Sequence, residues 1–287
     1  MHPRTFRFAV VAALAPTAQA WQGLARQAEN LGYSTLLAPD TMNTLEPFTA
    51  LAAAATATET LRVGTFVLPA PFYPPSEIVW RALALDLLSG GRLDLGLGAG
   101  RPDAEAEVVH RERRFGTPAE RVKQLSDALH IVKEEMAAAA NGHSPLKPAQ
   151  RPHPPILVAA AGRKMFQLAA AEADIITLGL PPGTTEDGLA AKVAELRTIA
   201  GTRFDDLELN YNIAGVGTDL PAFLSREMGI DPEELIRNGA PSILTGTTQE
   251  MADKLRRRRD ELGISYIAVN GMFLEKLAPV VELLAGT

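Results

Sequence analysis

The chain has 287 residues, 46% of them hydrophobic and 22% charged, enough to bury one large α/β core or two modest ones and too apolar for a disordered segment. A formal net charge of -6 and a pI near 5.5 speak against the basic footprint of a nucleic-acid-binding protein. With no cysteine, disulfides, thiolate zinc sites and iron–sulfur clusters are excluded, and the five scattered histidines offer no ligand-spaced pair for a metal.

Near the start, Arg4 and Arg7 precede FAVVAALA and Ala18-Gln19-Ala20, which imitates a signal peptide. The apolar run is short, however. Pro16 and Thr17 read as a helix-starting loop, and Trp21, Leu24, Ala25, Ala28 and Leu31 continue an amphipathic helix that ends at Gly32. Phe6 to Val11 is therefore expected as the first strand of a cytoplasmic protein, with Trp21 in the core. No stretch approaches the ~20 apolar residues of a membrane span.

Thr35 to Ala38 is the second strand, followed by a helix from about Glu46 to Thr58. Arg62 to Leu68 is the third, and Ser76 caps a helix that leads into LSGGR and a fourth strand over Leu93, Leu95 and Leu97. Gly90 and Gly91 supply the left-handed geometry of a helix end. Gly96, Gly98 and Gly100 strip side chains from the strand, leaving room for a flat ligand or for tight packing. Their G-x-G-x-G spacing departs from a dinucleotide fingerprint: Arg101, Pro102 and Asp103 suggest a loop, and Glu120 lies at a helix start. The loop from Arg101 to Phe115 carries His110, Arg111, Arg113 and Arg114, read as a solvated charged loop with an anionic ligand as the alternative.

Pro118 opens a long helix reaching about Ala140, and five prolines between Asn141 and Pro155 mark an extended connector. Strands are expected at Ile156 to Ala160, Asp174 to Leu178, Leu207 to Val216 and Tyr266 to Val269. Helices are expected at Arg163 to Glu172, Leu189 to Ala200, Pro221 to Arg226, Pro232 to Asn238, Gln249 to Leu262 and Phe273 to Leu284. The Arg256 to Arg259 run, balanced by Asp260 and Glu261, reads as a solvated outer face.

Eight strands, each followed by a helix, predict an α/β fold of the (β/α)8 class, a TIM-like barrel in which residues 1–287 form a single domain; a doubly wound sheet of five or six strands is the alternative. In a barrel, the loops after Ala38, Leu68, Leu97, Ala160, Leu178, Val216 and Val269 share the functional end. The LSGGR turn lies at the other end, where Asp86 and Arg92 are expected to form an ion pair or turn-stapling hydrogen bonds.

Through LGYSTLLAPD, LRVGTFVLP, LDLLSGGRLDLGLGAG, FGTPAERVKQLSDALHIV, RPHPPILVAAAG, EADIITLGL and SILTGTTQEMADKLRRRRDELGISYIAV, the chain resembles the luciferase-like monooxygenase family over most of its length. The resemblance implies a TIM-like barrel that binds FMN or the deazaflavin coenzyme F420 at the strand C-terminal ends. It implies a non-proline cis bulge at Thr65, Phe66 and Val67 behind the ring, with Gly98 beside it. It further implies a cofactor phosphate on the backbone of Ala159, Ala160, Ala161, Gly162 and Arg163, with Gly179 and Leu180 walling the same site. Small residues before a helix N-terminus suit an anion, and Arg163 can add a charge.

The resemblance also matches Asp40 to an acid that approaches the ring in deazaflavin-using relatives. Relatives that oxidise sugars or alcohols carry a histidine beside that acid and a glutamate just after the glycines. Thr41 and Arg101 stand in those places here, so no catalytic acid or base is assigned.

The expected activity is hydride transfer to or from a small organic substrate by coenzyme F420, whose acidic tail suits Asp40 with the arginine-bearing loop. The alternatives are an FMN-dependent monooxygenase fed by a separate flavin reductase, and a non-catalytic flavin-binding barrel or subunit partner. A homodimer is expected through the alanine-rich helix Pro47 to Ala57, with neither nucleic acid nor membrane as a partner and no metal.

Overall fold

A continuous apolar run, buried on both faces at Phe8, Ala9 and Val10, makes β1 (Arg7–Val11) an interior strand of the computed structural model, which describes residues 4–220 and 231–287. It pairs in parallel with β2 (Thr35–Ala38), and β2 pairs with β3 (Arg62–Thr65). β3 and its two-residue continuation β4 (Leu68–Pro69) both lie along β5 (Leu93–Gly98). They form one barrel strand, interrupted at Phe66–Val67, whose peptide bond is cis.

β6 (Ile156–Ala160), β7 (Ile175–Leu178) and β8 (Glu208–Ile213) continue the parallel order. β9 (Gly215–Val216) and β10 (Ile243–Leu244) pair with each other outside the ring. β11 (Ile264–Asn270) pairs with both β8 and β1 and closes it. The result is the expected closed barrel of eight parallel strands. The expected strand Leu207 to Val216 is divided between β8 and β9, the second half leaving the barrel for β10.

The helices sit outside: α1 (Ala18–Asn30), α2 (Pro47–Thr56), α3 (Pro75–Leu88), α4 (Glu105–His110), α5 (Pro118–Ala138), α6 (Arg163–Glu172), α7 (Glu186–Ala200), α8 (Pro232–Arg237), α9 (Thr248–Leu262) and α10 (Leu274–Leu284). Capping chemistry sets several starts. Thr117 with Glu120 and Thr247 with Glu250 form capping boxes ahead of α5 and α9, and Gly263, at φ 82°, ends α9. Trp21 is buried as expected, its indole N–H donating to the Ala50 carbonyl at 2.7 Å. The expected helix Pro221 to Arg226 lies outside the described residues.

One reading of charge needs correction, and a second resolves to one of its two alternatives. Arg258 is buried, not solvated: it falls on the face of α9 that carries Met251 and Leu255, pairs with Glu186 and donates to the Pro241 carbonyl at 3.1 Å. Asp86 and Arg92 do not pair with each other. Asp86 accepts from the backbone N–H groups of Ala149 (2.6 Å) and Gln150 (3.0 Å), which pins the proline-rich connector to the barrel's N-terminal end. Arg92 instead donates to the carbonyls of Ser89 (2.6 Å), Leu61 and Ala55 (2.7 Å each), which is the turn-stapling role.

Beneath the apolar interior of Ala9, Leu37, Leu157, Ile175 and Ala268 lies a charged layer. Arg7 sits between Asp94 and Glu208, 2.7 Å from each, and 4.3 Å above the Tyr266 ring, while Arg62 also reaches Asp94 at 2.6 Å. Burial pushes the Glu208 carboxyl upward against the pull of Arg7. This plug seals the lower end and leaves the strand C-terminal end open for a ligand.

Candidate active site

At that open end the loops after β2, β4, β5, β6 and β7 surround a half-open, mostly apolar cavity of about 440 Å³. Asp40, Phe66, Val67, Gly98, Ala159, Ala160, Ala161 and Gly179 all line it, joined by Pro39, Thr41, Arg101 and Met165. Phe66, Val67, Ala159 and Gly179 also border a second chamber of about 250 Å³, which extends to Thr177, Tyr211, Asn212 and Ser242.

Three of the expected residues are placed differently. Thr65 is buried in the wall, its hydroxyl bonded to both the N–H and the carbonyl of Gly96 at 2.8 Å. It supports the site without facing it. Gly162 is the N-cap of α6 at φ -137°, a conformation open to any residue, and Arg163 is the exposed first residue of that helix. No side chain caps the first amides of α6, so those donors are available to an anion.

The glycines serve a purpose that their spacing did not disclose. A β-carbon on Gly96 would collide with the Thr65 carbonyl oxygen, and one on Gly98 would lie 2.6 Å from Val67 Cγ2. They make room for the interruption in the neighbouring strand, which then projects Phe66 and Val67 into the cavity. Gly98 and Gly100 also line the cavity, and Gly96 does not.

Asp40 follows β2 by two residues and is 3% exposed. Its Oδ1 accepts from Arg111 Nη2 at 2.8 Å, and its Oδ2 accepts no hydrogen bond within 3.5 Å, with the Tyr73 hydroxyl close enough to favour the charged carboxylate. Arg111 also donates to the Tyr73 hydroxyl at 3.0 Å and stacks on Phe72, 4.4 Å from the ring centre. Burial pushes the Asp40 carboxyl upward, and Arg111 and Tyr73 draw it partly back.

The loop expected to be solvated thus turns one arginine inward. It contains α4, and Glu107 and Arg111, four residues apart, both reach the loop after β2: Glu107 Oε2 accepts from Met42 N–H at 2.7 Å, and Glu107 also pairs with Arg101. That E-x-x-x-R spacing was the available signal for an inward face. Asn212, exposed on the second chamber, had none.

A sequence model of the family described as luciferase-like monooxygenase matches residues 5–214. The chain is 30% identical over 130 residues to the oxygenase component of a flavin-dependent trigonelline monooxygenase from Acinetobacter baylyi, covering 43% of this chain and 36% of that one. It is 28% identical over 183 residues to 4-hydroxyprotoasukamycin monooxygenase from Streptomyces nodosus subsp. asukaensis, covering 56% and 44%. The matched stretch spans less than half the length of these curated relatives.

Among solved structures, monooxygenase RslO1 from Streptomyces bottropensis superposes with a TM-score of 0.69 at 22% identity, covering 96% of this chain and 97% of that one. The coenzyme F420 dependent tetrahydromethanopterin reductase from Methanopyrus kandleri gives 0.73 at 15% identity, covering 98% and 99%. These two share the fold.

Proposed function

The chain belongs to the luciferase-like monooxygenase family, and from that premise we propose that it is an oxidoreductase that uses coenzyme F420 for hydride transfer to or from a small organic substrate. One observation carries this reading: a buried carboxylate with a free oxygen lines an apolar cavity at the functional end of the barrel.

The residues fit a flat heterocycle with an anionic arm. Phe66, Val67 and Gly98 offer an apolar wall for a ring, Asp40 offers an acceptor beside it, and Ala160, Ala161 and Gly162 lead to the uncapped amides of α6 with Arg163 at hand. Such a cofactor supplies the hydride chemistry. The chain orients it, and the apolar walls exclude water from the reacting face.

A second reading, an FMN-dependent monooxygenase supplied by a separate reductase, is favoured by one feature. Thr41 and Arg101 stand where alcohol-oxidising relatives place a histidine and a glutamate, and Arg101 is engaged with Asp103 and Glu107. Fluorescence titration of the purified protein with F420 and with FMN separates the readings. Saturable F420 binding with weaker FMN binding supports the first, the reverse order supports the second, and binding of neither overturns both.

The functional unit in this proposal is a homodimer. α2 buries Phe48, Leu51, Ala54 and Ala55 within its own chain, and the neighbouring α3 leaves Trp80, Leu87 and Leu88 exposed, an apolar stripe suited to a second copy.

A further inference from the structure

We propose that Arg111 is a positioning residue for the ligand site: it occupies one oxygen of Asp40 and thereby presents the other as a fixed acceptor for an N–H or O–H group of the bound molecule. This rests on the reading above only in taking the cavity as the ligand site.

Three features fix the arrangement. The guanidinium carbon lies over the rings of Phe72, at 4.4 Å, and Tyr73, at 5.3 Å. Its two terminal nitrogens are divided between the Tyr73 hydroxyl and Asp40 Oδ1, so the carboxylate cannot turn without losing a charge-assisted bond. Glu107 ties the same α4 segment to Met42, two residues beyond Asp40, so the loop after β5 is joined to the loop after β2 at a second point. Asp40 Oδ2, buried and without a hydrogen-bond partner, is an unmet acceptor, whereas Asp86 and Asp94, the most deeply buried carboxylates among the described residues, are bonded on both oxygens.

The chemistry follows from what surrounds Asp40. Burial favours its neutral form. Arg111 and the Tyr73 hydroxyl favour the charged form, and Glu46, at the start of α2, opposes it. Arg111 is the cation among these neighbours, so removing it tips the balance toward the acid. A protonated Asp40 keeps only a weaker, neutral acceptor and has an O–H of its own to place, so the site would hold a ligand donor less well. The group recognised is therefore an N–H or O–H donor.

The test compares Arg111→Met, Arg111→Lys and Asp40→Asn with the parent in two arms. In the first, infrared difference spectra of the protein without cofactor follow the carboxylic-acid C=O band between pH 4 and pH 9, with Asp40→Asn identifying the Asp40 band. The expected result is that Arg111→Met moves its appearance upward by at least a pH unit, while Arg111→Lys restores most of the parent behaviour. In the second, affinities for F420 and FMN are measured over the same range. Arg111→Met should lose tenfold or more of the preferred cofactor's affinity, with a loss that deepens toward low pH; Asp40→Asn should lose as much with no such dependence. An unchanged Asp40 band in a folded Arg111→Met protein overturns the proposal, as does parent-like affinity at every pH. A parent that binds neither cofactor overturns the cofactor reading instead, and the infrared arm still decides the role of Arg111.

Discussion

A β-carbon on Gly98 would lie 2.6 Å from Cγ2 of Val67, so the end of β5 and the interrupted strand beside it are fitted to each other before any ligand arrives. Gly98→Ala should push Val67 toward the cavity and cost about 1–3 kcal/mol, the size of an overpacked core position. The barrel should survive, because the change lies at one strand end. We expect near-parent far-ultraviolet circular dichroism, a lower urea midpoint and weaker cofactor binding. An unaltered midpoint with unaltered binding would show that this fit has no energetic weight.

The barrel was legible in the chain because its signals are local and repeated. The apolar run FAVV, the alternation in LDLGLG, Gly32 and Gly263 at helix ends, and Thr117 with Glu120 each act within a few residues. The lining of the candidate cavity was legible at Asp40, Phe66, Val67, Gly98, Ala159 to Ala161 and Gly179, positions that follow from where each strand ends. What the sequence concealed depends on pairing over long separations. Arg111 meets Asp40 across 71 residues, and Arg7 meets Glu208 across 201, so neither charge reveals its direction to its own neighbours. Arg258 hid differently, since a run of arginines masks the one position that helical period turns inward.

Asp94 receives both Arg7 and Arg62 and is 1% exposed. Asp94→Asn would leave two guanidinium groups facing a neutral amide inside the barrel, with a cost of ~3–5 kcal/mol for breaking a buried pair. Because this network lies at the end away from the cavity, cofactor affinity in the folded fraction should stay at the parent value. Urea denaturation and fluorescence titration of the same variant separate the two effects, and a large loss of affinity without a loss of stability would contradict the placement.

Glu29 offers a pH-dependent anchor. Its Oε1 accepts from the backbone N–H groups of Glu59 (3.0 Å), Thr60 (2.6 Å) and Leu61 (2.9 Å), tying the end of α1 to the turn before β3. Burial raises the carboxyl, and these bonds outweigh it, leaving it below its usual range. A carboxyl depressed on folding contributes stability above its unfolded pKa, about 4.3, and loses it as pH falls through the folded value. Glu29→Gln should therefore cost on the order of 1 kcal/mol at pH 7, like a lost helix cap, and much less at pH 3. Equal differences in urea midpoint at both pH values would contradict this.

Trp80 and Leu88 are 68% and 67% exposed on α3. Replacing both with glutamate should leave the barrel folded and convert the proposed dimer to a 30.7 kDa monomer in sedimentation at micromolar concentration. A parent that already sediments as a monomer would remove the dimer from the proposal without touching the cavity.

At the start of α6 the backbone amides lack a side-chain cap, Arg163 is exposed, and a β-carbon on Gly162 would meet no protein atom within 4 Å. That open space makes Gly162→Val informative: at φ -137° valine fits the backbone, so any lost affinity must come from its collision with the ligand. Arg163→Ala should remove a charge-assisted contact to the cofactor phosphate worth ~1.5–3 kcal/mol, about ten- to a hundredfold in affinity. That loss should shrink at high salt because the contact is exposed. The appropriate control is Arg257→Ala, on the exposed side of α9, since Arg258 holds Glu186 and would disturb the packing of α7. If Gly162→Val and Arg163→Ala both fold and bind F420 and FMN as the parent does, the phosphate is held elsewhere; if only the control matches the parent, the anion sits on α6.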